Sequence, residues 1–372
     1  MTQYIWQHAD WTSRWRWGSD RLLMPLAQAR KAQGELLGRA ASLGFEIGME
    51  ARAETLVDEA LTTAAIEGVS LDPRSVRSSV ARRLGLASAG VQVPDRDADG
   101  LVEVLIDATQ RYGEPLTARR LKGWQAALFP RGYSGLRKIV IGDWRKKLEP
   151  MQVVSGPVGR EKVHYEAPPA ARLPREMARF LAWWRSGRNP EEGLLRAALA
   201  HLWFVTVHPF EDGNGRITRA IADMALAADE KTSLRLYSMS ARIRSEQDAY
   251  FAVLERTQRG DGEITDWLEW FLLCLKRALE TSETRLERVL AKSRLWQRQA
   301  GISIGERQLK VINRLLDAGQ GGFEGGLSTR KYVGMTGTSR ATAQREIVDL
   351  VKKGFLTKRG GGGRSTSYDI AW

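Results

Sequence analysis

Apolar residues recur at three-to-four spacing through most of the first 300 positions, a period that predicts amphipathic helices rather than strands. With caps and glycine stops as end signals, helices are expected over roughly 18–34, 42–67, 74–85, 97–111, 116–128, 172–187, 192–207, 216–228, 240–258 and 264–297. AGVQVPDRD, around Pro94, lacks that period and is expected to be a loop. After Gly301 the pattern changes. ERQLKVINRLLDAG predicts one amphipathic helix, LSTRKYVGMTG a short second, and TSRATAQREIVDLVKKG a third, before FLTKRGGGGRSTSYDI predicts a hairpin with a glycine and arginine tip.

The chain has 372 residues, 43% of them hydrophobic, enough for two or three domains with real cores. Expected segments are 1–93 as a helical extension, 94–300 as a central core and 301–372 as a C-terminal domain. The N-terminus, dense in tryptophan (YIWQHADWTSRWRW), contains no signal-like apolar stretch, and no run approaches a membrane span, so a cytoplasmic protein without a membrane partner is expected. A single cysteine, Cys274, excludes an internal disulfide. There is no zinc-protease histidine pair, no cysteine cluster, no GxxxxGK[ST] loop and no GxSxG elbow.

Phosphate-directed chemistry remains, and nine residues point to it. HPFEDGNGR, His208 to Arg216, follows one apolar helical run and opens another. His208 can accept a proton near neutral pH, and Asp212 offers a hard oxygen for a magnesium ion. Gly213 and Gly215 let the backbone approach an anion at a helix start, and Asn214 can add a side-chain donor. Arg216 and Arg219, three apart on the following helix, can grip one polyphosphate. By itself DGNG is only a turn; its setting between two helices gives it the chemical reading.

HPFEDGNGRITR resembles the signature HxFx[DE]GNGRxxR of the Fic family, with every defined position filled. The resemblance implies a mainly α fold: a Fic-type helical core with a short β-hairpin flap. It also implies ATP and Mg2+ as cofactors, and transfer of AMP to a hydroxyl of a protein substrate or of the chain itself. On that resemblance His208 would deprotonate the hydroxyl and Asp212 would hold the metal. Gly213, Asn214 and Gly215 would line the anion hole, and Arg216 and Arg219 would hold the β and γ phosphates. GLRKIVIG (Gly135, Leu136, Arg137, Lys138, Ile139, Val140, Ile141, Gly142) would be the flap, with VVSGPVGREKVHYEAPP as its returning strand; an ordinary surface hairpin is the plain alternative. Tyr250, Phe251 and Gln258 would contact adenine, although aromatic residues on a helix also serve as core. Upstream, TAAIEG (Thr63 to Gly68) resembles the family's inhibitory motif [ST]xxxE[GN], which implies that Glu67 pairs with Arg219 and misaligns ATP. The same core could instead remove AMP, with Glu67 positioning water.

The C-terminal order resembles a winged helix-turn-helix. Ser339 to Lys353 would be its recognition helix, with Ser339, Arg340, Gln344 and Arg345 at DNA, and Lys358, Arg359 and Arg364 would mark the wing. From residue 301 onward there are 12 Lys plus Arg against 6 Asp plus Glu, a large share of the chain's net +13. That balance suits phosphate contact, and equally a docking or dimerisation module. A homodimer would present two such helices. A DNA-binding regulator that senses nucleotide through its helical core is the rival from another class.

Overall fold

Short capping residues and glycine stops set several of the helix ends. In α3 (Pro73–Leu84), Asp72 accepts the amide of Arg74, proline occupies the first helical position, and Gly85 closes the helix at φ +68°. The computed structural model describes residues 4–41, 43–86, 94–155, 160, 162–186, 193–299, 301–318, 323–359 and 366–371. They form two compact units, Met1–Ser282 and Glu283–Trp372.

The first unit is helical: α1 (Ser19–Ala41), α2 (Phe45–Ile66), α3, α4 (Arg96–Gln110), α5 (Ala118–Leu128), α6 (Leu173–Ser186), α7 (Gly193–Val207), α8 (Asn214–Glu230), α9 (Met239–Ser245), α10 (Gln247–Gln258) and most of α11 (Thr265–Arg298). Its centre is the pair α7 and α8, joined by the HPFEDGNGR loop. α7 is mostly apolar and, apart from Arg196, buried from Leu194 to Val207, as a helix surrounded by others must be. α2 packs against α3, α4, α8 and α9, so the helix carrying Glu67 is built into the same core. Gly100 lets α4 approach α5 closely, since a Cβ there would stand 1.8 Å from the carbonyl oxygen of Ala127. Near the N-terminus Trp6 and Trp11 are buried, and the Trp11 indole N–H donates to Glu176. No helix among the described residues is long and apolar enough to cross a membrane.

Two expectations are corrected. The single helix over 240–258 is two, α9 and α10, separated at Glu246, whose φ of −118° leaves the helical region. Its carboxylate is held by Arg242 and by Arg277, whose Nη2 lies 2.6 Å away. The flap segment 135–142 does not pair with the strand that follows it. Only Arg137–Lys138 is extended (β2), and it pairs backwards with Tyr133–Ser134 (β1), turning at Gly135 and a fully exposed Leu136. Ile139 is buried, Ile141 is exposed, and Gly142 donates its amide to Gln125, so the rest of the run is tied to α5. A separate hairpin forms from Gln152–Ser155 (β3) and Lys162–Glu166 (β4), antiparallel with an irregularity at Val153/Val154. The expected loop around Pro94 lies partly outside the described residues.

In the second unit, α12 (Glu306–Ala318), α13 (Thr329–Thr336) and α14 (Arg340–Lys352) precede an antiparallel hairpin of Leu356–Lys358 (β5) and Tyr368–Ile370 (β6), with Leu327 bridging to Tyr368. Its own core contains Val311, Ile312, Leu315, Tyr332, Ile347, Leu350 and Phe355. Ser339 caps α14 by accepting the amide of Thr342. Arg340, Gln344, Arg345, Lys358 and Arg359 are exposed, and Arg359 pairs with Asp369 at 2.6 Å. Arg364 lies outside the described residues.

Candidate active site at the HPFEDGNGR loop

The loop is built by local bonds before any ligand is considered. α7 ends where the amide of His208 bonds to Phe204, and His208 then turns to φ +48°, a left-handed conformation that costs a non-glycine residue energy. Gly213 takes the second left-handed position, φ +87°, and begins α8. Asn214 locks the turn: its Oδ1 accepts the amide of Phe210 and its Nδ2 donates to the Phe210 carbonyl, both at 2.9 Å. The Asn214 side chain is buried, and one of its two Nδ2 hydrogens is used within the loop.

His208 is half-buried. Its Nδ1 lies 3.2 Å from the carbonyl oxygen of Val205, which assigns the proton to Nδ1 and leaves Nε2 free to accept one. Burial pulls its pKa down to about 4, and the Arg145 guanidinium acts in the same direction, against the Val205 carbonyl, Glu67 and Asp212. The ring is therefore a neutral base at physiological pH. Asp212 is one-third exposed, with Oδ1 2.5 Å from the Gly213 amide and 3.7 Å from Arg216, while Ser134 on β1 donates to its Oδ2.

Arg216 and Arg219 are both buried. Arg216 stacks on Phe129, its guanidinium carbon 4.9 Å from the ring centre, and its Nε has no partner among the described residues. Burial lowers its pKa. Arg219 Nε donates to Thr63 Oγ1 at 2.6 Å, and its Nη2 donates to the Thr63 carbonyl at 2.9 Å and to Glu67 Oε1 at 2.8 Å. Glu67 stands at the end of α2, where Gly68 turns the chain at φ +73°. Gly215 makes room for it, since a Cβ there would lie 2.1 Å from Glu67 Oε1.

Glu67, His208 and Gly215 line a cavity of about 500 Å³ together with Tyr250, Phe251 and Gln258 of α10. Tyr250 is buried, its hydroxyl 3.0 Å from His201 Nε2, while Phe251 is exposed; Gln258 donates to Thr206 at 3.2 Å. The hairpin wall of this cavity is β3–β4, through Val153, Val154, His164 and Tyr165, not the segment 135–142. Arg137 instead donates to the Glu211 carbonyl at 3.3 Å. Sequence reasoning missed Ser134 and Arg145, and no local pattern marks either; each is defined by what it touches in the loop.

Among the described residues no group of three or more His, Cys, Asp or Glu is arranged to hold a metal. One accessible carboxylate is nevertheless a suitable donor for magnesium, which commonly takes one or two carboxylates and completes its octahedron with phosphate oxygens and water.

Residues 4–86 match a domain of unknown function, DUF4172, and residues 115–226 match the Fic/DOC family. A Fic family protein from Desulfovibrio desulfuricans G20 aligns over 93% of this chain and 95% of its own, at 18% identity and a TM-score of 0.55. A Fic domain containing signaling protein from Bacteroides thetaiotaomicron VPI-5482 aligns over 70% of this chain and 97% of its own, at 15% identity and a TM-score of 0.52. Fic-domain proteins generally catalyse transfer of AMP or a related nucleotide part to proteins. The chain thus has a mainly helical Fic fold, with its residues 115–226 similar to the Fic/DOC family.

Proposed function

We propose that this protein transfers AMP from ATP to a hydroxyl side chain of a protein, itself included, and that Glu67 restrains the reaction. The observation carrying this reading is the meeting of three parts in one cavity: a neutral His208 with a free Nε2, Gly215 at the helix start, and Glu67, which occupies Arg219 behind the cavity wall. His208 takes the proton as the target oxygen bonds to the α-phosphorus, and the bond from that phosphorus to the bridging oxygen breaks, releasing pyrophosphate. Asp212 would hold a magnesium ion, whose chemistry there is to neutralise phosphate charge. Arg216, buried and with its Nε unpartnered among the described residues, is suited to a phosphate oxygen. Tyr250, Phe251 and Gln258 would face the base. The outer edge of β3, beside Val153 and Val154, replaces 135–142 as the proposed edge for a target strand.

With Glu67 in place, Arg219 cannot present that guanidinium nitrogen to a γ-phosphate, so ATP would bind misaligned. The exposed face of α14, with Arg340, Gln344 and Arg345, is proposed as a DNA contact of a winged helix, beside Lys358 and Arg359 of the hairpin.

Transfer from α-labelled ATP with magnesium tests the reading in wild type, Glu67→Gly, and Glu67→Gly with His208→Ala. Label on protein in the Glu67→Gly sample alone is expected. Equal labelling of wild type and Glu67→Gly overturns the restraint, and no labelling in any sample overturns AMP transfer in favour of AMP removal or nucleotide sensing.

A further inference from the structure

We infer that Arg145 is a positioning residue for His208, holding the base in its left-handed turn; this rests on the transfer reaction proposed above. Arg145 is only 4% exposed. It makes three donations, two of them to the loop. Its backbone amide bonds to the Pro209 carbonyl at 2.9 Å, its Nε to the His208 carbonyl at 2.9 Å, and its Nη2 to the Pro168 carbonyl just beyond β4. Next to it the Trp144 ring packs on Phe210, with centres 4.8 Å apart, so consecutive residues grip the first three positions of the motif.

Two features separate this from ordinary core packing. Among the described residues no carboxylate pairs with Arg145; its neighbours are carbonyl oxygens and the buried Tyr165. Burying a guanidinium without a counter-ion is costly, and it pulls the Arg145 pKa down to about 10. A neutral residue could fill the volume at less cost. The carbonyl that accepts from Arg145 Nε belongs to the left-handed residue His208 itself, so the guanidinium braces the strained turn directly.

The charge also acts on the imidazole. Three charged groups face His208: Arg145 opposes its protonation, while Glu67 and Asp212 favour it. Withdrawing Arg145 leaves two carboxylates and no opposing cation in that set, so the imidazole should hold its proton to higher pH. Residues that serve only to fill space would not move this titration.

The test uses the full chain: Arg145→Met and Arg145→Lys are placed in wild type for the titration and in a Glu67→Gly parent for the kinetics, with far-ultraviolet dichroism confirming the fold. His208 is titrated by NMR, its signal among the four histidines identified by its loss in His208→Ala. For Arg145→Met the His208 pKa should rise above about 4, with burial still holding it below its ordinary value, and kcat should fall about 100-fold with little change in KM for ATP. Arg145→Lys keeps the charge and loses the fork, so the titration should stay low while kcat still falls. An unmoved His208 titration in folded Arg145→Met, or parental kcat in Arg145→Lys, overturns the inference. If the parent shows no transfer, the proposed reaction fails, and the titration alone still decides the role of Arg145.

Discussion

Arg219 Nη2 sits 2.8 Å from Glu67 Oε1, joining α8 to the end of α2 across 152 positions of sequence. The same guanidinium holds Thr63 through its hydroxyl and its carbonyl, so the contact is a three-point grip rather than a single ion pair. Arg219 is 2% exposed and Glu67 about one-third exposed. The carboxylate is therefore the partner that a competing anion can replace.

Thr63→Val should loosen this grip without touching the carboxylate. It removes a charge-assisted bond worth roughly 1.5–3 kcal/mol at a buried site. Label transfer is expected to rank wild type below Thr63→Val, and Thr63→Val below Glu67→Gly. Wild-type labelling in Thr63→Val would show that the hydroxyl has no part in the restraint.

His201 should make the protein acid-sensitive. It is fully buried, with Nε2 against the Tyr250 hydroxyl and Nδ1 unpartnered among the described residues, and burial first, then Arg219, lowers its pKa from 6.5 to about 3. Its folded pKa lies below its unfolded one, so the unfolded chain binds the extra proton between these values. Stability from this group is complete above pH 6.5 and is lost as pH falls toward 3. The stability gap between wild type and His201→Asn, read from urea midpoints, should shrink by about 1–2 kcal/mol from pH 6.5 to 5. A pH-independent gap would contradict a neutral His201.

Gly100→Ala should destabilise the first unit. The added Cβ would stand 1.8 Å from the Ala127 carbonyl oxygen, a backbone atom that cannot rotate away, so α4 and α5 must separate. A loss of about 1–3 kcal/mol, typical of overpacking, is expected in urea unfolding. An unchanged midpoint would mean that the helices part at no cost.

On the proposed DNA contact, Arg340→Ala with Arg345→Ala should weaken binding to a duplex and flatten its salt dependence, by about one unit of slope for each phosphate the variant no longer neutralises. Fluorescence anisotropy at several salt concentrations reads both. Wild type that fails to bind at low salt removes DNA from the set of partners.

Much of the helical frame was legible because its signals are local. The period of α7, the proline and aspartate opening α3, and the glycine closing it act within a few residues of where they stand in the chain. The break at Glu246 was not legible, since Arg277 of α11, far along the chain, shares its carboxylate with Arg242. Strand pairing failed for a related reason. GLRKIVIG has β-prone composition, but its partners are Tyr133, Ser134 and the side chain of Gln125. Composition does not encode a partner.

The sequence by itself determined the helical class, the HPFEDGNGR loop between two helices, and the candidate chemistry of His208, Asp212, Arg216 and Arg219. Those are properties of residue type and close spacing, which a short segment carries with it. Tertiary structure alone decided that Asn214 braces its own turn, that β3–β4 walls the cavity, and that Ser134 and Arg145 touch the loop. Burial and distance between segments far apart in sequence set those outcomes, through desolvation and hydrogen bonds that exist only after α7 and α8 have packed.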